Sequence, residues 1–99
     1  MHMDYEAVSA RLKAMGHPTR LRILDLLRHS GSCVQELEKE LGLRQSNVSQ
    51  HLGILRSLDM VKVERQGHTV CYSLNEELVC PLLDTLETQN GAADDPPTA

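Results

Sequence analysis

The sequence predicts a mainly α-helical domain with one small β-hairpin, in the order α-α-α-α-β-β-α. Three observations lead to this fold class. Apolar residues recur at helical spacing in four successive segments, which are separated by breaks rich in Gly, Pro or Ser. Between residues 61 and 74 the pattern changes to an alternation of apolar and polar residues, which is typical of strands, and a fifth helical segment follows. The apolar residues are nearly all aliphatic, because Tyr5 and Tyr72 are the only aromatic side chains.

The first two helices are predicted on either side of a break that contains Gly16 and Pro18. Asp4 is a suitable N-cap for the first helix, which we expect to end at Gly16. Pro18 is tolerated in the first turn of the second helix. Aliphatic side chains at helical spacing form the predicted buried stripes of these helices: Val8, Leu12, Met15, Leu21, Leu24 and Leu27.

A tight turn joins the third and fourth predicted helices. Ser32, followed three residues later by Gln35, matches a capping box for the third helix, and Gly42 ends it. Two amphipathic helices joined by a short turn with a glycine form a helix-turn-helix pattern. Their predicted apolar stripes are Val34, Leu37, Leu41, Val48, Leu52 and Leu55.

The hairpin is predicted to pair residues 61–65 with residues 69–74 around a turn at 66–68. The last helix contains Leu82, Leu83 and Leu86. We expect Pro81 in its first turn, because a proline within a helix costs about 3 kcal/mol. Residues 75–80 would then form a turn or a separate short helical turn.

One domain, residues 1–88, accounts for all of these elements. We expect residues 89–99 to form a disordered acidic tail, because they contain no large apolar residue and include two adjacent prolines. No apolar run approaches the roughly 20 residues of a membrane span, and the N-terminus lacks the pattern of a signal peptide. These features predict a cytoplasmic protein with no membrane partner.

Charge is distributed unevenly, although the net charge is −4. Residues 41–72 carry four Arg or Lys against two Asp or Glu, whereas residues 73–99 carry six acidic residues and no basic one. The basic excess therefore coincides with the helix-turn-helix and the hairpin. Since charges in physiological salt act over only about 8 Å, the acidic net charge does not exclude a nucleic-acid partner.

The outward face of the fourth helix is rich in amides and hydroxyls, which can bond base edges in a DNA major groove. The N-terminus of this helix favours binding of a phosphate. The hairpin tip adds basic groups that would reach the DNA backbone or the minor groove. An ordinary solvated polar face is the alternative, but the preceding helix, the short turn and the hairpin favour DNA binding. The candidate DNA-binding residues are Arg44, Gln45, Ser46, Asn47, Ser49, Gln50, His51, Arg56, Arg65 and His68.

Three segments in this order resemble the ArsR/SmtB family of winged helix-turn-helix repressors. They are residues 15–24 (MGHPTRLRIL), residues 41–56 (LGLRQSNVSQHLGILR) and residues 70–74 (VCYSL). The resemblance covers roughly residues 5–88. It implies a winged helix-turn-helix homodimer whose first and last helices form the interface and whose recognition helix spans residues 45–57. It also implies a repressor that binds a palindromic double-stranded DNA operator and is released by an effector.

Members of this family are often released by metals, but neither familiar metal site is intact here. One site resembles Cys-Val-Cys-Asp-Leu at the start of the third helix, and Gln35 replaces its second cysteine. The other uses Asp and His pairs on the last helix, and residues 75–89 contain no His. We therefore expect no structural zinc and no required cofactor.

The three cysteines leave two interpretations open. Their odd number argues against a structural disulfide framework. Cys33 and Cys80 are predicted at helix N-termini, where the dipole favours a thiolate, so the pair is a candidate effector site for arsenite, another soft metal ion, an oxidant or a sulfur species. The alternative is that they pack as small apolar side chains, which is the expectation for Cys71.

Other classes of function have less support. The sequence contains no Gly-rich phosphate loop and no HExxH or GxSxG pattern, so we predict that the chain is not an enzyme. A small thiol enzyme built on Cys33 is the weaker alternative. A winged-helix module that binds another protein instead of DNA is the stronger one, because a fold does not dictate its function.

Overall fold

Residues 2–89, the part of the chain that the computed structural model describes, form five helices and one three-stranded antiparallel sheet. This arrangement confirms the predicted fold class and adds one short strand to it. The elements in chain order are α1 (Tyr5–Met15), α2 (Pro18–His29), β1 (Ser32–Cys33), α3 (Val34–Leu41), α4 (Gln45–Ser57), β2 (Val61–Gln66), β3 (Thr69–Leu74) and α5 (Glu76–Gln89). Gln89 of the predicted tail is helical, and residues 90–99 lie outside the described residues.

The boundary between α1 and α2 follows the sequence signals. The Asp4 carboxylate accepts a hydrogen bond from the Ala7 amide at 3.1 Å, and Gly16 is the C-cap that follows Met15, the last residue of α1. His17 caps α2 through its Nδ1, which accepts from the Thr19 amide at 3.1 Å, and Pro18 is the first helical residue. These caps satisfy amides that have no partner within the helix.

The start of α3 differs from the prediction. Cys33, not Ser32, is the N-cap, and the Glu36 carboxylate accepts from the Cys33 amide at 3.2 Å. Ser32 instead lies in β1 opposite Tyr72, so the pairing with β3 shifts the helix start by one residue. At the other end, Gly42 has a φ of +67°, a left-handed conformation that favours glycine and begins the turn to α4.

The sheet has the order β1-β3-β2. β2 and β3 pair from Val61 opposite Leu74 to Gln66 opposite Thr69, which leaves a two-residue turn with Gly67 at a φ of +65°. The sequence did not predict β1, because a strand of two residues has no periodicity. Gly31 permits its approach, since a Cβ there would lie 3.3 Å from the Tyr72 carbonyl oxygen.

A single apolar core holds these elements together, and α4 crosses its centre. Val48, Leu52 and Leu55 are each 0% exposed, as the predicted stripe requires. Leu12, which belongs to the predicted buried stripe of α1, is 58% exposed, and Leu86 of α5 is 50% exposed. The prediction for Leu12 was wrong for the single protomer, because none of its described elements covers that side chain.

Helix α5 also differs from the prediction. It begins at Glu76, so Pro81 is its sixth residue and Cys80 its fifth, and no separate turn precedes it. Val79 and Leu83 are buried on either side of Pro81, so packing keeps the helix continuous although the proline donates no hydrogen bond. Within residues 2–89, no helix combines the length and the apolar character that crossing a membrane requires.

Candidate nucleic-acid interface

The polar face of α4 is exposed because its opposite face is fixed in the core. Complete burial of Val48, Leu52 and Leu55 determines the rotation of the helix about its axis. Arg44 is the N-cap, and its carbonyl accepts from the amides of Asn47 and Val48 at 3.0 and 3.1 Å. The exposed candidate residues at or on this helix are Arg44, Gln45, Ser46, Asn47, Ser49, Gln50 and Arg56.

The hairpin presents the remaining two candidate residues. Arg65 lies near the end of β2, and His68 lies in the turn; both are exposed. β2 follows α4 after only three residues, and Met60 and Val61 are buried in the core between them. The hairpin base is therefore packed next to the recognition helix, while its tip extends into solvent.

The arginines of the described chain fall into two groups. Four of them bind other parts of the protein: Arg11 donates to the Leu58 carbonyl, Arg20 to the Ala14 carbonyl, Arg22 to the Glu40 carbonyl and Arg28 to Asp84 and Glu87. The other three, Arg44, Arg56 and Arg65, make no side-chain hydrogen bond or ion pair with residues 2–89. The three arginines whose guanidinium groups have no partner among the described residues are therefore the same three arginines that were predicted to bind DNA.

His51 differs from the other candidates because it is half-buried. Its ring packs against that of His17 with centroids 4.8 Å apart, and its Nδ1 is buried without a hydrogen-bond partner among the described residues. Burial lowers the pKa of His51, and the nearby positive charges of His17 and Arg20 lower it further. The contact links the start of α2 to the recognition helix, and no pattern in the sequence predicted it.

Two of the four acidic residues of α5 are bound by an arginine. The Arg28 guanidinium on α2 donates to Asp84 at 2.9 Å and to Glu87, and it also lies 3.5 Å from Asp25. The hydrogen bond to Glu87 raises the pKa of Arg28. Among residues 2–89, no cluster of three or more His, Cys, Asp or Glu side chains is arranged to hold a metal ion.

Two of the three cysteines form a disulfide bond, which was not predicted from the sequence. Cys33 and Cys71 face each other across β1 and β3 and form a disulfide bond. Cys80 is a half-buried free thiol within α5, not at its N-terminus. The argument against a disulfide and the purely packing role of Cys71 were therefore wrong, because both ignored the register between β1 and β3. The expected position of Cys80 at a helix N-terminus was also wrong, because α5 begins at Glu76.

The comparisons with known proteins agree with this geometry. Residues 17–63 match the family model described as bacterial regulatory protein, arsR family. The chain is 39% identical to the HTH-type transcriptional regulator YgaV of Escherichia coli, over 83% of this chain and 84% of that protein. The matched family segment contains α2, α3 and the whole of α4.

Solved structures extend the likeness to the whole described fold. The crystal structure of NolR from Sinorhizobium fredii has a TM-score of 0.83 and 36% identity, covering 89% of this chain and 88% of NolR. The homodimeric winged helix-turn-helix DNA-binding domain Mb0332 from Mycobacterium bovis has a TM-score of 0.82 and 25% identity, covering 93% and 90% of the two chains. The family and these relatives consist of transcriptional regulators, not enzymes. The chain therefore belongs to the ArsR family of bacterial regulatory proteins and is a winged helix-turn-helix DNA-binding protein.

Proposed function

We propose that the chain represses transcription by binding, as a homodimer, to a palindromic operator. The exposed face of α4 enters the major groove, and the hairpin tip contacts the adjacent backbone or minor groove. The observation that carries this proposal is the division of α4 into a fully buried apolar stripe and an opposite face on which the exposed candidate side chains make no hydrogen bond or ion pair within residues 2–89. An operator supplies the partners that these side chains lack.

The candidate residues on α4 differ in the DNA groups that their side chains can bind. Asn47 and Gln50 can each donate to and accept from an adenine edge, so they are suited to select sequence. Ser46 and Ser49 can bond bases or phosphates, and Arg44 lies at the helix N-terminus, where phosphate is favoured. The remaining candidates are assigned to the same interface: Gln45, Arg56, Arg65, His68 and, at its edge, His51.

The exposed apolar side chains on α1 and α5 support a homodimer. On α1, Tyr5 is 78% exposed and Leu12 58%, and on α5, Leu86 is 50% exposed and Leu82 37%. Several large apolar side chains exposed on the first and last helices of a small protein are candidates for an interaction surface. A two-fold axis through this surface would place two copies of α4 about one DNA turn apart, or a multiple of that.

Release by an effector acts through the cysteines in this proposal. Two of the α5 carboxylates, Asp84 and Glu87, are already bound by Arg28, so this pair does not offer a free acidic site for a metal ion. Arsenite, another soft metal ion, an oxidant and a sulfur species all react with thiols and are the candidate effectors. The protein would work in the cytoplasm, because that is where a bacterial operator is found.

A mobility-shift assay on the DNA upstream of the chain's own coding sequence tests the proposal. We expect Asn47→Ala and Gln50→Ala each to lower the preference for the operator over unrelated duplex by about 1 to 3 kcal/mol. Gln89→Ala removes the same amide from the end of α5 and should change nothing. Equal losses on operator and unrelated DNA would contradict the assigned roles, and the absence of salt-dependent binding would favour a protein-binding module.

A further inference from the structure

The disulfide bond between Cys33 and Cys71 encloses the whole candidate DNA-binding surface. The two cysteines are 38 residues apart in sequence, and all ten candidate residues lie between them, within residues 44–68. The bond therefore closes one covalent loop that contains α3, the turn, α4 and the hairpin. A crosslink at this position constrains those elements relative to one another.

The bond is also the strongest connection between the two segments that it joins. β1 has two residues and pairs with β3 at two positions, Ser32 with Tyr72 and Cys33 with Cys71. So short a strand has few hydrogen bonds to hold it once the covalent bond is broken. α3 begins at Val34, directly after Cys33, and β3 leads from the hairpin turn to Cys71. Breaking the bond would loosen the wing, which is the hairpin formed by β2 and β3, from α3, the first helix of the helix-turn-helix.

We propose that Cys33 and Cys71 form a reversible thiol–disulfide site that reacts with low-molecular-weight disulfides, and that the bond fixes the wing relative to α3 and α4 for DNA binding. The proposal rests on the proposed function, since it names the regulation of the same DNA-binding surface. It also narrows the effector: the reactive pair is Cys33 with Cys71, and Cys80 does not take part. Because the bond favours DNA binding, release follows reduction of the bond by a thiol, so an oxidant is not the releasing effector.

The reaction proceeds in two exchange steps that balance. The Cys33 thiolate attacks one sulfur of the small disulfide, forming a mixed disulfide and releasing one small thiol. The Cys71 thiolate then attacks Cys33 Sγ, forming the internal bond and releasing the second small thiol. Two protein thiols are oxidised, one small disulfide is reduced to two thiols, and the protons of the cysteines go to the released thiolates.

The different exposure of the two cysteines indicates which of them reacts first with the small disulfide. Cys33 is half-buried at the N-cap of α3, whereas Cys71 is only 8% exposed. The more accessible thiol is the one that an external disulfide reaches first, and the N-cap position favours its thiolate. Cys71 lies directly opposite and is the resolving cysteine.

The same geometry gives the direction of the effect on DNA binding. The bonded chain has the hairpin and α4 already fixed in one arrangement, so binding does not have to order the wing. Preorganisation of this kind increases affinity because less conformational freedom is lost on association. The oxidised chain should therefore bind the operator more tightly than the reduced chain, by about tenfold.

The thiol chemistry is tested without DNA. The full chain is equilibrated in buffers of defined ratios of oxidised to reduced glutathione, alkylated, digested and analysed by mass spectrometry. We expect two thiols to be lost together as the ratio rises, a peptide pair linking Cys33 to Cys71, and Cys80 alkylated throughout. A different linkage, or thiols that stay alkylated in oxidised glutathione alone, would overturn the proposal.

The coupling is tested by fluorescence anisotropy with the upstream duplex, using fully oxidised and fully reduced chain. The difference in Kd should disappear in Cys33→Ala and in Cys71→Ala and persist in Cys80→Ala. Circular dichroism of the reduced wild-type chain is the control for folding, and we expect its helical signal to equal that of the oxidised chain. Equal Kd values in the two wild-type forms, or tighter binding by the reduced form, would refute the coupling.

A hydrogen-exchange experiment separates failure of this proposal from failure of the proposed function. If neither form binds duplex, the repressor assignment fails, and amide protection still reports whether the bond fixes the wing. Oxidation should slow exchange at the amides of β1 and β3 relative to those of α5. Unchanged exchange in the sheet would overturn the proposal whether or not DNA binds.

Discussion

Replacing Arg65 by Ala tests whether the hairpin tip binds the DNA backbone. Arg44, Arg56 and Arg65 are exposed and have no side-chain partner in the described chain, so a homodimer would offer six such guanidinium groups to phosphates. Each phosphate contact contributes about 0.9 to the slope of log Kobs against log salt, which gives a slope of about −5 from these groups. Arg65→Ala removes two contacts per dimer and should reduce the slope by roughly 1.8, with similar losses on operator and unrelated DNA.

Arg22→Ala is the matched control for this prediction. It removes the same charge from an exposed arginine, but the Arg22 guanidinium already donates to the Glu40 carbonyl at 3.0 Å. Kd is measured by fluorescence anisotropy at five salt concentrations, and thermal unfolding shows that each variant is folded. Equal changes in slope for the two variants would refute the reasoning, because the effect would then follow net charge and not the position of the arginine.

Three further predictions concern the fold that holds this surface in place. Because the pKa of His51 is lowered in the folded chain, the unfolded chain takes up more protons as the pH falls below about 6.5. The stability that neutral His51 provides above that pH should therefore be lost as the pH falls through the pKa of His51 in the folded chain. Urea unfolding at pH 8 and at pH 5.5 measures this loss in the free energy of unfolding, which should be smaller in His51→Gln than in the wild-type chain. An identical loss in the two chains would contradict the burial argument. Gly42→Ala should lower the free energy of unfolding by about 1 to 2 kcal/mol, because the φ of Gly42 is +67°. Gly53→Ala should raise it by about 0.5 to 1 kcal/mol, because glycine within a helix is less stable than alanine. A Cβ would meet no atom within 4 Å at either position, so steric contact does not separate the two variants. Thermal and urea unfolding compare these two variants, and shifts of the same sign would count against the conformational explanation. Leu86→Glu on the exposed side of α5 should dissociate the dimer while the monomer stays folded, as sedimentation and circular dichroism would show; an intact dimer would place the interface elsewhere.

The helix-turn-helix was predictable because its signals are local. The stripe of Val48, Leu52 and Leu55 has the period of a helix, and burial of all three follows from it. Gly42 marked the turn because only a left-handed residue closes it at low cost. The exposed polar face of α4 then follows as the complement of the buried stripe, so most of the candidate interface could be derived from the sequence.

The features that the sequence did not predict depend on contacts between distant segments. The register between β1 and β3 brings Cys33 to Cys71, and a two-residue strand has no pattern from which to infer that register. Pro81 was expected in the first turn of α5 but lies within the helix, because burial of Val79 and Leu83 outweighs the lost hydrogen bond. In each case tertiary packing overrides a sound local preference.

The central claim is that a paired molecule inserts the exposed face of α4 into DNA. Hydroxyl-radical footprinting on the upstream duplex measures this most directly. We predict two protected tracts whose centres are about one helical turn apart, or a multiple of that, and their joint loss in the Asn47→Ala, Gln50→Ala double variant. One unpaired tract, or protection that survives the double substitution, would contradict the claim.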